Sequence, residues 1–369
     1  MRALSRILFL LVIGVAQAAD FDWEVQRFSG RDYVSAKKLA EFYNLPRGLS
    51  PANKSLSLAR GRRSLLLILG SREAEINGVK YVMSFPVVEE KDQYWVSRMD
   101  LGKTIEPAFR PERVPGIKPF TTVILDPGHG GRDKGAASPY EREKNFALDV
   151  ARRVRDELQN AGMKVLMTRN SDDFIELQDR AALTRGRSDA IFVSLHFNDS
   201  PNREANGLEI FSVTPRGSPS TEYDELLVRD MVAEYGNVNE VPSFILAHSI
   251  YQALQGSGLK MADRGVKRAR FAVLRLTRVP AVLVEGGFLS HPEDAKRVAS
   301  KERRNAYASA LAEGIREFQK PAASKKPPRL AADYQNSLPG RPTTVAALPS
   351  PSPPAPEMTL REWPEAVAE

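Results

Sequence analysis

The chain has no cysteine in its 369 residues. That excludes disulfides, thiolate metal sites, cysteine nucleophiles and lipid attachment through cysteine, so any bound metal has to be held by histidine and carboxylate. Histidine is scarce too: there are four, His129, His196, His248 and His291. Beyond residue 18 no apolar run approaches the roughly 20 residues of a membrane span. Nor is there a basic patch interleaved with aromatics that would argue for nucleic acid. Lys and Arg outnumber Asp and Glu by 53 to 46, a formal charge of +7 that includes two arginines of the first eighteen residues. An excess this modest suits an anionic surface or polymer, and ordinary solubility equally.

The opening "MRALSRILFLLVIGVAQA" joins Arg2 and Arg6 to a short apolar core and a small-x-small ending at Ala16 and Ala18, which reads as a secretory signal over 1–18. The mature chain is then expected to begin near Ala19, outside the cytoplasm, in a periplasmic, secreted or wall-associated setting. From 19 to 113 short strands and turns alternate. "YVSAKKL" (Tyr33–Leu39) is echoed by "WVSRMDL" (Trp95–Leu101), each a strand turning into a helix that Ser35 or Ser97 would cap. This arrangement resembles the small α+β domain called the copper amine oxidase N-terminal-like domain, a stalk on many secreted wall enzymes. It contains no histidine, so no metal is expected there. The unit is expected to serve location or wall affinity and to be dispensable for chemistry. Pro111, Pro115 and Pro119 mark a linker, placed at 114–119. After Lys320 fall eleven of the 26 prolines with little apolar periodicity, so 321–369 reads as a disordered tail.

Between them, over 120–320, apolar segments ("TTVIL", "KVLMT", "AIFVSL", "GLEIFSV", "FAVLRL", "AVLVE") alternate with helical stretches. The expected fold class is α/β: a mostly parallel or mixed sheet flanked by helices, preceded by the small α+β domain. Phe146, Val150, Val154 and Leu158 fall four apart and predict one amphipathic helix.

In "VILDPGHGGRDKGA" a buried strand runs into a glycine-rich turn bearing His129, and "AIFVSLHFN" ends a second strand on His196. Neighbouring strands lie about 4.8 Å apart, so the two imidazoles can converge on one ion. A catalytic zinc takes three protein ligands and a water. Glu143, at the opening of the amphipathic helix, suits the third place, though a favourable charge in a first helical turn explains it as well. "PAVLVEGGFLS" ends an apolar strand on Glu285. Burying a carboxylate there is costly and raises its pKa, which suits a general base; the alternative is an exposed Glu at a strand end. His248 shares a helical face with Gln252 and Gln255 and is expected to be exposed, and His291 is expected to start a helix. Asn198 and Arg264 read either as substrate contacts or as satisfied turn residues.

Phe120 to about Phe318 resembles the catalytic domain of the zinc-dependent N-acetylmuramoyl-L-alanine amidases of the amidase family 3 type. The pieces that match, in the family's order, are "ILDPGHGGRDKGA", "EKNFALDVA", "FVSLHFN", "NGLEIFSV", "DRGVKRARFAVLR" and "PAVLVEGGFLSHPED". The resemblance implies Zn2+ as cofactor, held by His129, Glu143 and His196, with Glu285 as catalytic residue; Glu143, rather than its acidic neighbours Glu141 and Asp149, falls on the motif. It also implies peptidoglycan as substrate, cut between N-acetylmuramic acid and L-alanine. The alternatives are a zinc peptidase or amidohydrolase acting on another wall-peptide bond, and a non-catalytic wall-binding protein. The segment 215–241 is long for a connection and contains an acidic, partly helical stretch. By resemblance to amidases with an inhibitory helix it reads as a lid on which a regulatory protein would act, or else as an extra surface helix.

Overall fold

The computed structural model describes residues 21–50, 54–61, 63–114 and 116–324. The signal expected over 1–18 and positions 325–369 of the expected tail lie outside them. Two strands, β1 (Val25–Phe28) and β2 (Arg31–Ser35), lead into helix α1 (Ala36–Tyr43). An antiparallel meander follows: β3 (Arg47–Ser50), β4 (Ser55–Arg60), β5 (Arg63–Ile68), β6 (Glu73–Ile76) and β7 (Val79–Val82). Strands β8 (Val88–Glu90) and β9 (Gln93–Ser97) then complete a four-stranded sheet in the order β1-β2-β9-β8. The two echoed motifs lie side by side, Val34 opposite Val96, with Tyr33 facing Ser97 and Ser35 facing Trp95. Both serines cap as expected: Ser35 Oγ accepts from Lys38 N, and Ser97 Oγ from Asp100 N at the start of α2 (Arg98–Asp100). A π-helical stretch, Leu101–Ile105, joins α2 to α3 (Glu106–Phe109).

The second half is the expected mixed α/β layering. Its elements are β10 (Thr122–Pro127), α4 (Glu143–Asn160), β11 (Lys164–Met167), α5 (Leu177–Ala182), β12 (Ala190–Asn198), β13 (Leu208–Val213), α6 (Glu240–Gly256), β14 (Asp263–Ala269), α7 (Ala272–Arg275), β15 (Ala281–Phe288), α8 (Pro292–Ala299) and α9 (Lys301–Ala322). Strands β11, β10, β12 and β15 run parallel, β13 is antiparallel to β15, and β14 is parallel to β13. Phe146, Val150, Val154 and Leu158 of α4 are all buried, and the core continues through α6 and α9.

Two expectations fail here. "FAVLRL" is not a strand: α7 occupies it, and the strand is the preceding "DRGVKRA". That strand reads as polar because its charged side chains face the site and the N-terminal half instead of a hydrophobic layer. His248 is not exposed. Gln252 and Gln255 of its face are, but His248 is only 5 % exposed, because the N-terminal half covers it and Tyr81 Oη hydrogen-bonds its Nδ1.

That cover is part of a larger continuity. Strand β7 adds to β14 in parallel, Tyr81 opposite Val266, so the meander and the α/β sheet form one sheet of eleven strands in the order β11-β10-β12-β15-β13-β14-β7-β6-β5-β4-β3. Gly265 permits the approach, since a Cβ there would lie 2.6 Å from Lys80 O. Buried Arg72 donates to Tyr223 O at 2.6 Å, to Ser220 O and to Pro219 O. Arg268 returns a bond from Nη2 to Lys103 O, 2.6 Å.

Wherever a boundary is drawn near 113, the two parts share a sheet, so the dispensability read from the sequence does not follow. A chain beginning at Val114 would expose Phe244, His248 and Arg268. It is expected to melt at least about 10 °C below the full chain, as a loss of a few kcal/mol implies, when both are followed by circular dichroism.

Burial also pulls the His248 imidazole down to about 4. Its folded pKa lies below the unfolded value of about 6.5, so the unfolded chain binds the proton first. The contribution, about 3 kcal/mol, is complete above pH 6.5 and is lost as pH falls toward 4. Urea unfolding at pH 7.5 and 4.5 should show this loss in the wild type and a smaller one in His248→Gln.

Candidate metal centre and active site

Every residue of β10, "TVILDP", is buried, and the chain leaving it must turn at once to bring His129 over the strand ends. Gly128 lies so close to β12 that a Cβ would overlap the His196 ring. His129 itself takes the left-handed conformation, φ 60°, which costs a residue with a side chain on the order of 1 kcal/mol. Two buried arginines hold the turn by its carbonyls. Arg169 donates to Pro127 O (3.0 Å) and Gly128 O (2.7 Å). Arg180 donates to Pro127 O (2.8 Å) and His129 O (2.8 Å), and its Nη1 pairs with fully buried Asp126 at 2.9 Å. Thr168 and Ser194 hydroxyls complete the Asp126 shell.

At the first turn of α4, Glu143 points back over the strands. Its Oε2 lies 2.9 Å from His129 Nε2 and its Oε1 2.9 Å from His196 Nδ1. Backbone N–H groups of Ala136 and Phe197 donate to the same two oxygens. Asp133 takes the other ring nitrogen of His129, Nδ1, at 2.8 Å, which leaves Nε2 turned inward. One ligand atom from each of His129, Glu143 and His196 lies within 4.8 Å of the others, so the three could hold a metal ion. Burial alone would raise the Glu143 carboxyl, but the two imidazoles hold it well below the usual carboxylate range. Glu141 sits exposed on the turn before α4, and Asp149 pairs with Arg153 and Arg304.

Strand register sets the rest. Glu285 on β15 lies opposite His196 on β12, and Glu209 on β13 lies opposite Glu285. Glu285 Oε2 is sealed from solvent with no hydrogen-bond partner. Burial first, then the charges of Glu143 and Glu209, push its carboxyl well above the ordinary value, against the pull of Lys267. Glu209 is also buried but fully engaged, by Asn198 Nδ2 (2.7 Å), Arg264 Nε (2.6 Å) and Lys267 Nζ (2.5 Å). Asn198 and Arg264 therefore both bind Glu209. His291 starts α8 as expected, its Nδ1 accepting from Asp294 N. Between 215 and 239 there is no α-helix, only 3-10 turns at Val228–Met231 and Tyr235–Asn239.

Reading the sequence missed Asp126, Asp133, Arg169, Arg180, Glu209 and Lys267. Two of these carried a signal: Asp126 and Glu209 interrupt strands that are otherwise apolar, and a lone buried acid needs partners.

The chain belongs to the N-acetylmuramoyl-L-alanine amidase family, whose model matches residues 123–317. It is 30 % identical over 260 residues to the N-acetylmuramoyl-L-alanine amidase AmiC of Escherichia coli, a match covering 64 % of this chain and 62 % of that one. With the amidase AmiA of Escherichia coli K12 it shares 31 % over 214 residues, 52 % of this chain and 74 % of the relative. Among solved structures, the amidase AmiC2 of Nostoc punctiforme is 31 % identical and superposes with a TM-score of 0.45, covering 54 % of this chain and 97 % of that one.

Breaking a buried ion pair on one side strands the other charge and costs about 3–5 kcal/mol. Arg180→Met is expected to lose that much in urea unfolding of the metal-free protein, while an exposed control such as Arg152→Met stays within about 0.5 kcal/mol.

Proposed function

We propose that the protein is a zinc-dependent peptidoglycan amidase that hydrolyses the amide between the lactyl group of N-acetylmuramic acid and the L-alanine of the stem peptide. The observation that carries the reading is the register of Glu285 beside His196, which sets an unpaired, buried carboxylate oxygen next to the three convergent ligands. The donor set suits zinc: two imidazoles and a carboxylate with no sulfur. One ligand atom from each of the three residues lies within 4.8 Å of the others, so the three would be able to share one ion.

His129, Glu143 and His196 would hold the ion, which when bound polarises the amide carbonyl and acidifies a water. Asp133 keeps His129 in the tautomer that presents Nε2. The Glu285 carboxylate accepts the proton of the attacking water as the water oxygen bonds to the carbonyl carbon. It returns that proton to the alanine nitrogen as the C–N bond breaks. The absence of hydrogen-bond donors on Oε2 keeps this carboxylate a stronger base than a solvated one.

The reading includes secretion, supported by the leader-like residues 1–18. It takes 19–113 as a unit of the copper amine oxidase N-terminal-like type, supported by the paired motifs and their two serine caps. A regulatory protein acting on 215–241 is supported by the apolar side chains that segment exposes, with Val228 89 % exposed and Met231, Val232 and Val238 each at least half exposed.

Glu285→Gln should keep its zinc while turnover falls about 10²–10⁴-fold; His129→Ala should lose both together. Chelation should abolish wild-type turnover and zinc restore it. Mass spectrometry of digested peptidoglycan should show intact stem peptides with a free alanine amine. Loss of zinc from Glu285→Gln would make that residue a ligand and overturn the mechanism.

A further inference from the structure

Beyond Glu285, away from the histidines, the row of side chains across the strands ends in two cations that share a single carboxylate. Glu209 Oε2 accepts from both Arg264 Nε and Lys267 Nζ, while Oε1 is taken by Asn198. Lys267 also faces the carboxylates of Glu285 and Glu222, so Arg264 is the cation of the pair with donors to spare.

Arg264 is the accessible member, its side chain 34 % exposed. Its guanidinium is fixed in two ways, by the Nε bond and by lying over the Phe288 ring at 4.8 Å. Among the described residues none accepts from its Nη1 or Nη2. A guanidinium held through Nε with both terminal amino groups free is a fork for a planar anion. The path from Glu285 through Glu209 to Arg264 crosses two strand spacings, about 10 Å, a span that one extended peptide residue and an arginine side chain bridge together.

The chemistry of the substrate decides which anion. The carboxyl of muramic acid is itself consumed in the scissile amide, so the sugar side offers no carboxylate there and the peptide side does. We propose that Arg264, backed by Lys267, is a subsite for the free carboxylate of the residue following the released alanine. The proposal rests on the amidase reading above and deepens it: the enzyme distinguishes stem peptides whose second residue is acidic from those in which that group is amidated.

The test uses the full, zinc-loaded chain and two muropeptides that differ only in whether the second residue's carboxylate is free or amidated. The wild type should cut the free acid with a kcat/KM about tenfold or more higher, chiefly through KM, as one charge-assisted pair implies. Arg264→Gln should lose that preference by falling on the free acid alone, and Arg264→Lys, a point charge without the fork, should keep part of it. Zinc content of both variants should match the wild type, and circular dichroism should show both folded at the assay temperature, any lowering of the melting point reporting the lost bond to Glu209. Equal rates on the two substrates by the wild type would overturn the subsite. So would an equal fall on both in Arg264→Gln, since the arginine would then only steady Glu209. If the zinc-bound wild type cuts neither substrate, the amidase reading fails and the subsite falls with it.

Discussion

The arrangement depends on the buried pair between Asp126 and Arg180. An aspartate at the end of an apolar strand would destabilise the fold if left alone. Paired with Arg180 and bonded by Thr168 and Ser194, it becomes the anchor from which Arg180 reaches forward to the carbonyls of Pro127 and His129. Arg169 takes the carbonyls of Pro127 and Gly128. The strained conformation of His129 persists because these bonds over-determine it. The position of one metal-ligand candidate is therefore set by charges that never touch the ligand atoms. The other two follow from secondary structure: His196 from its place in β12, and Glu143 from the first turn of α4.

What could be read beforehand follows from where physical constraint is local. The apolar strand ends bearing His129, His196 and Glu285, and the fourfold spacing in α4, are visible because each depends on a few consecutive residues. Asp133 was not visible, although it lies only four residues from His129, because its role depends on a turn that folds it back onto the ring. Glu209 stood in plain view in "GLEIFSV", but its meaning needs the register that sets it opposite Glu285. His248 was misread because half of its surroundings come from Tyr81, far away in the chain, and helical periodicity reports only a helix's own faces. Strand β14 was missed because its side chains face the site and the N-terminal half, and not a hydrophobic layer.

The N-terminal half also changes what counts as the edge of the catalytic sheet. Without it β14 would be an open edge beside the site, and open edges are places where sheets associate or fray. With β7 paired at Val266 and Tyr81, that edge is covered at the strand that carries Arg264 and Lys267. Arg72 meanwhile fastens the start of the 215–241 segment from the N-terminal side. A unit that looked like an appendage in the sequence thus supports the strand that carries Arg264 and Lys267.

This union has a consequence in time. Strand β7 is made early in synthesis and β14 late, so the meander emerges with an unsatisfied flank that nothing yet made can cover. Pairings between such distant parts of a chain form slowly, because the loop between them must first be closed. Until then β7 presents bare backbone groups to any neighbouring chain.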